Sequence, residues 1–139
     1  MFSIMIVDDE EYILKAMQRL LRPCEDMAVE CFTSPTEALR RCRASVFDVI
    51  LSDYRMPHMD GVEFLTEVRS LQPDAARLIL SAHVDADAIM KAINNAGITK
   101  FLTKPWDGDT LIQSIYEAAR TKMEILENRI LSDMARNSL

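Results

Sequence analysis

The chain alternates short apolar runs with longer stretches whose apolar residues recur every three or four positions. The runs are Ser3-Ile4-Met5-Ile6-Val7, Ala28 to Phe32, Val49-Ile50-Leu51, Leu78-Ile79-Leu80 and Ile98 to Thr103. Each is short and aliphatic, and each is bounded by polar or turn-forming residues, which predicts strands with little solvent contact on either face. Between them, Ile13, Met17, Leu20 and Leu21 predict a first helix closed by Pro23, with Glu10 and Glu11 in its first turn. Ser34-Pro35-Thr36-Glu37 is a capping box with proline at the first helical position, and Ala38, Leu39 and Cys42 form the buried stripe behind it. Asp60 caps a third helix whose apolar face is Phe64, Leu65, Val68 and Leu71, ended by Pro73. Asp85 or Asp87 caps a fourth, with Ile89, Ile93 and Ala96 inward and Gly97 as its stop. The last helix runs from about Asp107 into the low 130s.

This alternation with short connections predicts an α/β fold, a parallel sheet covered by helices on both faces. One domain spans residues 1–120, and 121–139 form a helical extension. Tyr116, Ala119, Met123, Leu126 and Ile130 follow the spacing of a coiled-coil seam, which meets Asp133 where an apolar residue is due. The extension reads as a stem toward an output domain of a longer protein, as a surface that pairs with its own copy, or both.

Bulk properties narrow the function. A chain of 139 residues, 49% hydrophobic and 27% charged, has the composition of one water-soluble domain with a real core. A net charge of −6 argues against direct nucleic-acid binding and against anionic membranes. The arginines Arg40, Arg41 and Arg43 read as a solvated helix face. Cys24, Cys31 and Cys42 lack metal or redox spacing and read as reduced thiols, and no run is long enough to span a membrane. Asp8-Asp9 interrupt the first apolar run too early for a signal peptide, so the expected location is cytoplasmic.

The strand ends carry the chemistry. The first run ends in Asp8-Asp9, the third in Asp53, the fourth in Ser81 and the fifth in Lys104. In open parallel sheets this carboxyl edge is where ligands bind. Three clustered carboxylates repel one another unless a cation joins them, and oxygen donors without His or Cys suit Mg2+ or Mn2+. A lysine and a hydroxyl beside a carboxylate nucleophile complete the parts for phosphoryl transfer to Asp53. The plainer alternatives are a helix cap for Asp8-Asp9 and a structural ion pair for Asp53 with Lys104. His58 and His83 have no ligand company and are expected at the surface.

These residues resemble the receiver domain of two-component response regulators. Val7-Asp8-Asp9-Glu10, Asp53-Tyr54-Arg55-Met56-Pro57 with Met59-Asp60-Gly61, Ser81-Ala82 and Lys104-Pro105 stand in receiver-like order across residues 3–120. The resemblance implies a doubly wound, flavodoxin-like sheet of five parallel strands in the order 2-1-3-4-5. It implies that a sensor histidine kinase or a phosphotransfer protein phosphorylates Asp53. Asp9 would bind Mg2+ directly and Asp8 largely through water, with Asp53 and the backbone carbonyl of Arg55 as the remaining protein ligands. Ser81 and Lys104 would hold the phosphoryl oxygens, with a cis bond between Lys104 and Pro105. Phe101 matches the switch aromatic, without the hydroxyl of the commoner tyrosine. Arg55 and His83 occupy positions that tune how long the phosphoryl group survives.

The same resemblance makes the chain a switch rather than an enzyme, acting through the face of the fourth helix, fifth strand and fifth helix. That face or the C-terminal helix would also serve a homodimer. Two rivals are a pseudo-receiver that docks proteins without being phosphorylated, and an aspartyl-phosphate hydrolase. The intact acid, hydroxyl and lysine set opposes the first, and Arg55 stands where the second needs another acid. Trp106 either contacts a partner or packs over the helix end. The Lys104-Pro105-Trp106-Asp107 run before a charged helix is similar to receivers that precede HD-type cyclic-dinucleotide phosphodiesterases.

Overall fold

Five parallel strands form the centre of the molecule, whose computed structural model describes residues 1–82 and 85–138. The strands are β1 (Phe2–Val7), β2 (Met27–Phe32), β3 (Val49–Asp53), β4 (Ala76–Ser81) and β5 (Lys100–Thr103), in the order β2-β1-β3-β4-β5. The helices are α1 (Glu11–Leu21), α2 (Pro35–Ala44), α3 (Gly61–Leu71), α4 (Ala86–Lys91), which continues as a π-helical turn (Ala92–Ala96), and α5 (Gly108–Asn137).

Side-chain alternation along each strand splits the core in two. Ile4, Ile6, Val49, Leu51, Leu78, Leu80 and Leu102 pack beneath α1 and α5, while Met5, Val7, Ile50 and Ile79 pack beneath α2, α3 and the π-helical turn. The three central strands, β1, β3 and β4, are therefore covered on both faces over most of their length, whereas the edge strands β2 and β5 are partly exposed.

Several expected faces are turned. In α1 the buried residues are Leu14, Met17 and Leu21, with Ile13 and Leu20 only partly covered. Leu71 faces solvent because the next residue, Gln72, turns inward instead. Gln72 Oε1 accepts from Phe47 N at 2.9 Å, and its Nε2 donates to Cys42 O and Ser45 O at 2.8 and 2.6 Å. Ile93 is half exposed, because the wider π-helical turn directs Ala92 and Ala96 inward. Ile98 precedes β5. Gly97, at φ 60°, stops the helix, and Ile98 N–H donates back to Ala92 O at 3.3 Å.

Two buried cations serve the opposite edge from the site. Arg77 Nε donates to Ala96 O at 2.7 Å, and its Nη1 donates to Gln72 O, Pro73 O and Ala75 O at 3.3, 3.1 and 2.9 Å. Carbonyls from the ends of two helical segments thus converge on one guanidinium. Burial, reinforced by the charge of Arg69, lowers the Arg77 pKa. Lys122 on α5 reaches Asp48 Oδ1 at 2.9 Å, just before β3, while Asp48 Oδ2 accepts from Ser3 N at 2.8 Å.

Helix α5 runs unbroken past this pair. Ala119, at the start of the expected seam, is buried against the sheet, and Tyr116 is partly covered; Met123 and Ile130 are exposed. Trp106 packs against the α1–α5 core. The thiols of Cys31 and Cys42 are pushed up to about 11 by burial, so neither is a reactive thiolate at neutral pH. No helix among the described residues is long and apolar enough to cross a membrane.

Candidate phosphoacceptor site

Register brings the strand-end residues together. Val7 lies opposite Ser52, so the residues that follow them, Asp8 and Asp53, emerge side by side. Ser81 lies opposite Thr103, which places Lys104 one step beyond. Two backbone bonds extend the ladders past the strands: Tyr54 N–H to Leu80 O at 3.0 Å and Lys104 N–H to Ser81 O at 2.9 Å. Alternation also divides the labour. Asp53 follows Val49 and Leu51 in parity, toward α1 and α5, whereas Ser81 shares the parity of Ile79, toward α3. Phe101 pairs with Ile79 and packs with it, which puts Phe101 on the Ser81 side of the sheet.

Lys104 Nζ sits 2.9 Å from Asp53 Oδ1 and 3.4 Å from Asp8 Oδ2. Asp8, Asp9 and Asp53 each place a carboxylate oxygen within 4.8 Å of the others. One ammonium against three carboxylates leaves two excess negative charges, which a divalent cation cancels. The donors are all hard oxygens, so the set fits Mg2+ or Mn2+ rather than a softer metal. Burial, with help from the charge of Asp53, raises the Asp8 pKa; a bond from Glu10 N–H and the proximity of Lys104 oppose it. Burial likewise raises Asp53, against the pull of Lys104. Burial disfavours the Lys104 ammonium, but Asp53 and Asp8 together outweigh it and its pKa rises.

The residues enclose a cavity of ≈ 220 Å³ lined by Asp9, Glu10, Asp53, Arg55, Ser81 and Lys104, among others. A wider groove of ≈ 730 Å³ between α3 and the π-helical turn shares Tyr54 with it and is lined by Asp60, Glu63, Glu67 and Lys91, among others. Ser81 is buried, and Arg55 is exposed at the cavity rim. The Lys104–Pro105 bond is cis. His83 lies outside the described residues. His58 is exposed, as expected, and holds φ 70° at the centre of a tight turn closed by Met59 N–H to Pro57 O at 2.8 Å.

Two residues that the motifs contain have a place in the site that the sequence does not indicate. Gly61 N–H donates to Tyr54 O at 2.7 Å, and a Cβ on Gly61 would lie 2.3 Å from Asp53 O. A glycine opening a helix, where better formers are usual, is the available signal. Glu10, expected in the first turn of α1, precedes that helix and lines the cavity.

The model of the response regulator receiver domain matches residues 4–116. The chain belongs to this family. Among its relatives is the hydrogenase transcriptional regulatory protein HoxA of Bradyrhizobium diazoefficiens, 40% identical over 118 residues, which are 85% of this chain and 24% of that protein. Another is the C4-dicarboxylate transport transcriptional regulatory protein DctD of Rhizobium meliloti, 34% identical over 93% of this chain and 28% of that protein. The chain thus spans about a quarter of the length of these relatives. The receiver domain of an HD domain-containing protein from Pseudomonas fluorescens Pf-5 superposes with a TM-score of 0.85 at 30% identity, covering 91% of this chain and 92% of that one. The fold of this receiver domain is the doubly wound one the resemblance implies.

The receiver's buried acids make a checkable stability prediction. Because the folded-state pKa of Asp8 is raised, its contribution favours folding below the ordinary carboxylate range and is lost as pH rises through it. At neutral pH the ionised Asp8 therefore costs stability. Asp8→Asn, which keeps an Oδ1 acceptor for Glu10 N–H, is expected to gain about 1 kcal/mol and about 4 °C in Tm at pH 7. The gain should shrink toward pH 4. Added Mg2+ at tenfold its Kd should stabilise the parent by about 1.4 kcal/mol and the variant by much less. Thermal unfolding with and without Mg2+ checks both.

Proposed function

We propose that this receiver is a phosphoacceptor switch in which Asp53 takes a phosphoryl group from a sensor histidine kinase or a phosphotransfer protein. The observation that carries the reading is the placement of Lys104 Nζ 2.9 Å from Asp53 in a cavity that also gathers Asp9 and Ser81, with buried Asp8 clustered beside Asp9 and Asp53. Asp8, Asp9 and Asp53, with the backbone carbonyl of Arg55, would hold Mg2+ or Mn2+. A divalent cation bound there supplies the positive charge that lets phosphoryl oxygens approach an ionised carboxylate.

The protein's own groups do the rest. An Asp53 oxygen forms the new bond to phosphorus with its electron pair, while the P–N bond of the donor's phosphohistidine breaks and the imidazole leaves with that pair. Lys104, already paired with Asp53, exchanges that contact for a phosphoryl oxygen, and the Ser81 hydroxyl donates to another. Phe101 shares the Ser81 side of the sheet and follows its movement, shifting the face of α4, β5 and α5 between two packings. Arg55 at the rim influences access of water to the phosphoryl group and hence its lifetime. The chain acts by accepting phosphate rather than by turning over a substrate, in the cytoplasm, and it controls an output carried elsewhere in a longer protein. The exposed apolar residues of α5 beyond Lys122 suit a stem or a paired helix. Related chains serve transcriptional regulators and an HD domain-containing protein, so several output types accept this module.

Incubation with a small phosphodonor and Mg2+, followed by intact-mass measurement, tests the reading. A single phosphoryl adduct is expected on the parent and none on Asp53→Asn. Folded, metal-binding parent protein that never gains the adduct would overturn it.

A further inference from the structure

Glu10 has no part in the reading above, yet it lines the phosphoacceptor cavity with Asp9, Asp53, Arg55, Ser81 and Lys104. It lies one residue before α1 in an extended conformation (φ −95°, ψ 108°), and its side chain makes no cap bond to that helix. Two other bonds place it. Its backbone N–H donates to Asp8 Oδ1 at 2.9 Å, which ties its position to a buried acid of the site. Its Oε2 accepts from the Tyr12 hydroxyl at 2.9 Å, and Tyr12 is exposed. Glu10 thus lines the cavity as an exposed residue, with its carboxylate held by the Tyr12 hydroxyl.

Charge gives that placement a consequence. With a divalent cation bound, Lys104 and the cation together balance Asp8, Asp9 and Asp53. Glu10 then stands as an acid outside that balance. Arg55, the other cation of the cavity, forms no ion pair with Glu10 among the described residues. Any phosphodonor must carry its negative phosphoryl group past this rim.

We infer that Glu10, positioned by Tyr12, selects phosphodonors by charge, disfavouring small dianionic donors relative to those whose leaving group is cationic. This rests on Asp53 being the phosphoacceptor. Two simple donors differ in the required way. Acetyl phosphate is mainly a dianion at neutral pH: an Asp53 oxygen forms the P–O bond with its electron pair, the bond from phosphorus to the bridging oxygen breaks, and acetate leaves with that pair. Phosphoramidate is mainly a zwitterion of net charge minus one: the same P–O bond forms, the P–N bond breaks, and ammonia leaves with the pair, its nitrogen already carrying three hydrogens.

The test is the ratio of adduct-formation rates for acetyl phosphate and phosphoramidate, measured with the full chain at saturating Mg2+. Glu10→Gln is expected to raise this ratio about threefold at low ionic strength, fading toward parity with the parent near ~1 M salt, where the Debye length is only about 3 Å. Glu10→Asp, which keeps the charge, should stay near the parental ratio, and Tyr12→Phe should move it in the direction of Glu10→Gln by less. Equal changes for both donors, or a changed ratio that survives high salt, would overturn the inference while leaving Asp53 as the phosphoacceptor. Adducts with neither donor on the parent would instead remove the Asp53 reading beneath it.

Discussion

Gly61→Ala is expected to cost the receiver about 3 kcal/mol and to disturb Asp53, the proposed phosphoacceptor. The added Cβ would stand 2.3 Å from Asp53 O, 3.1 Å from Asp53 C and 3.1 Å from Tyr54 Cα, and real Cβ atoms essentially never approach other atoms within 3.0 Å. All three neighbours are backbone, so no side chain can swing away. The loop cannot drift outward cheaply either, because Gly61 N–H is fastened to Tyr54 O at 2.7 Å and Asp60 already caps α3 through Glu63 N–H at 2.8 Å. The strain must therefore pass into the end of β3, where Asp53 sits. Urea unfolding should show a lower midpoint with an unchanged slope. Phosphoryl adduct formation should slow even under conditions where the variant is fully folded. A loss below about 1 kcal/mol would show that the loop has slack the geometry does not suggest.

Arg77→Met is expected to cost about 4 kcal/mol, although methionine fills much of the same volume. Arginine here is not a surface charge. It is a hub for Gln72 O, Pro73 O, Ala75 O and Ala96 O, and it forms no ion pair with a carboxylate among the described residues. Its charge is matched by the negative ends of helical segments. Methionine offers those carbonyls no donor, and water reaches them poorly. Arg77→Lys should recover about half the loss, since an ammonium keeps the charge but cannot span both helix ends with a planar fork. Chemical denaturation gives the magnitudes. Hydrogen exchange adds location: amides of the π-helical turn should lose protection first, because Ala96 O is among the orphaned acceptors. An Arg77→Met variant as stable as the parent would mean the carbonyls find other partners.

These two residues also mark where the sequence stopped being informative. The strands could be read because fully apolar runs have few other uses, and the acids and Lys104 could be read because each interrupts such a run at one edge. Asp60, Ser34 and Gly97 could be read because caps and stops act locally. Arg77, Gln72 and Lys122 could not, since each is polar in composition but buried with at least one partner far along the chain: Ala96 O for Arg77, Cys42 O for Gln72 and Phe47 O for Lys122, which are 19, 30 and 75 positions away. The inward face of the fourth helix departs from its pattern for another reason: one π-helical turn breaks the 3.6-residue period that predicts Ile93 inward. The expected seam begins with Ala119 buried in the receiver's own core.

Lys122 gives α5 a further property. The helix contains no proline, and no glycine after Gly108, so nothing between the sheet and Asn137 acts as a hinge. The Lys122–Asp48 pair holds it at the edge opposite the acids and so makes a fulcrum. From there to Asn137 the rod is about 22 Å long at 1.5 Å per residue, and a tilt of about 10° moves its tip by about 4 Å. That is the whole contact distance between packed side chains. A repacking around Phe101 too small to alter the fold could in this way bring a surface at the far end of α5 into register with a neighbour, or take it out.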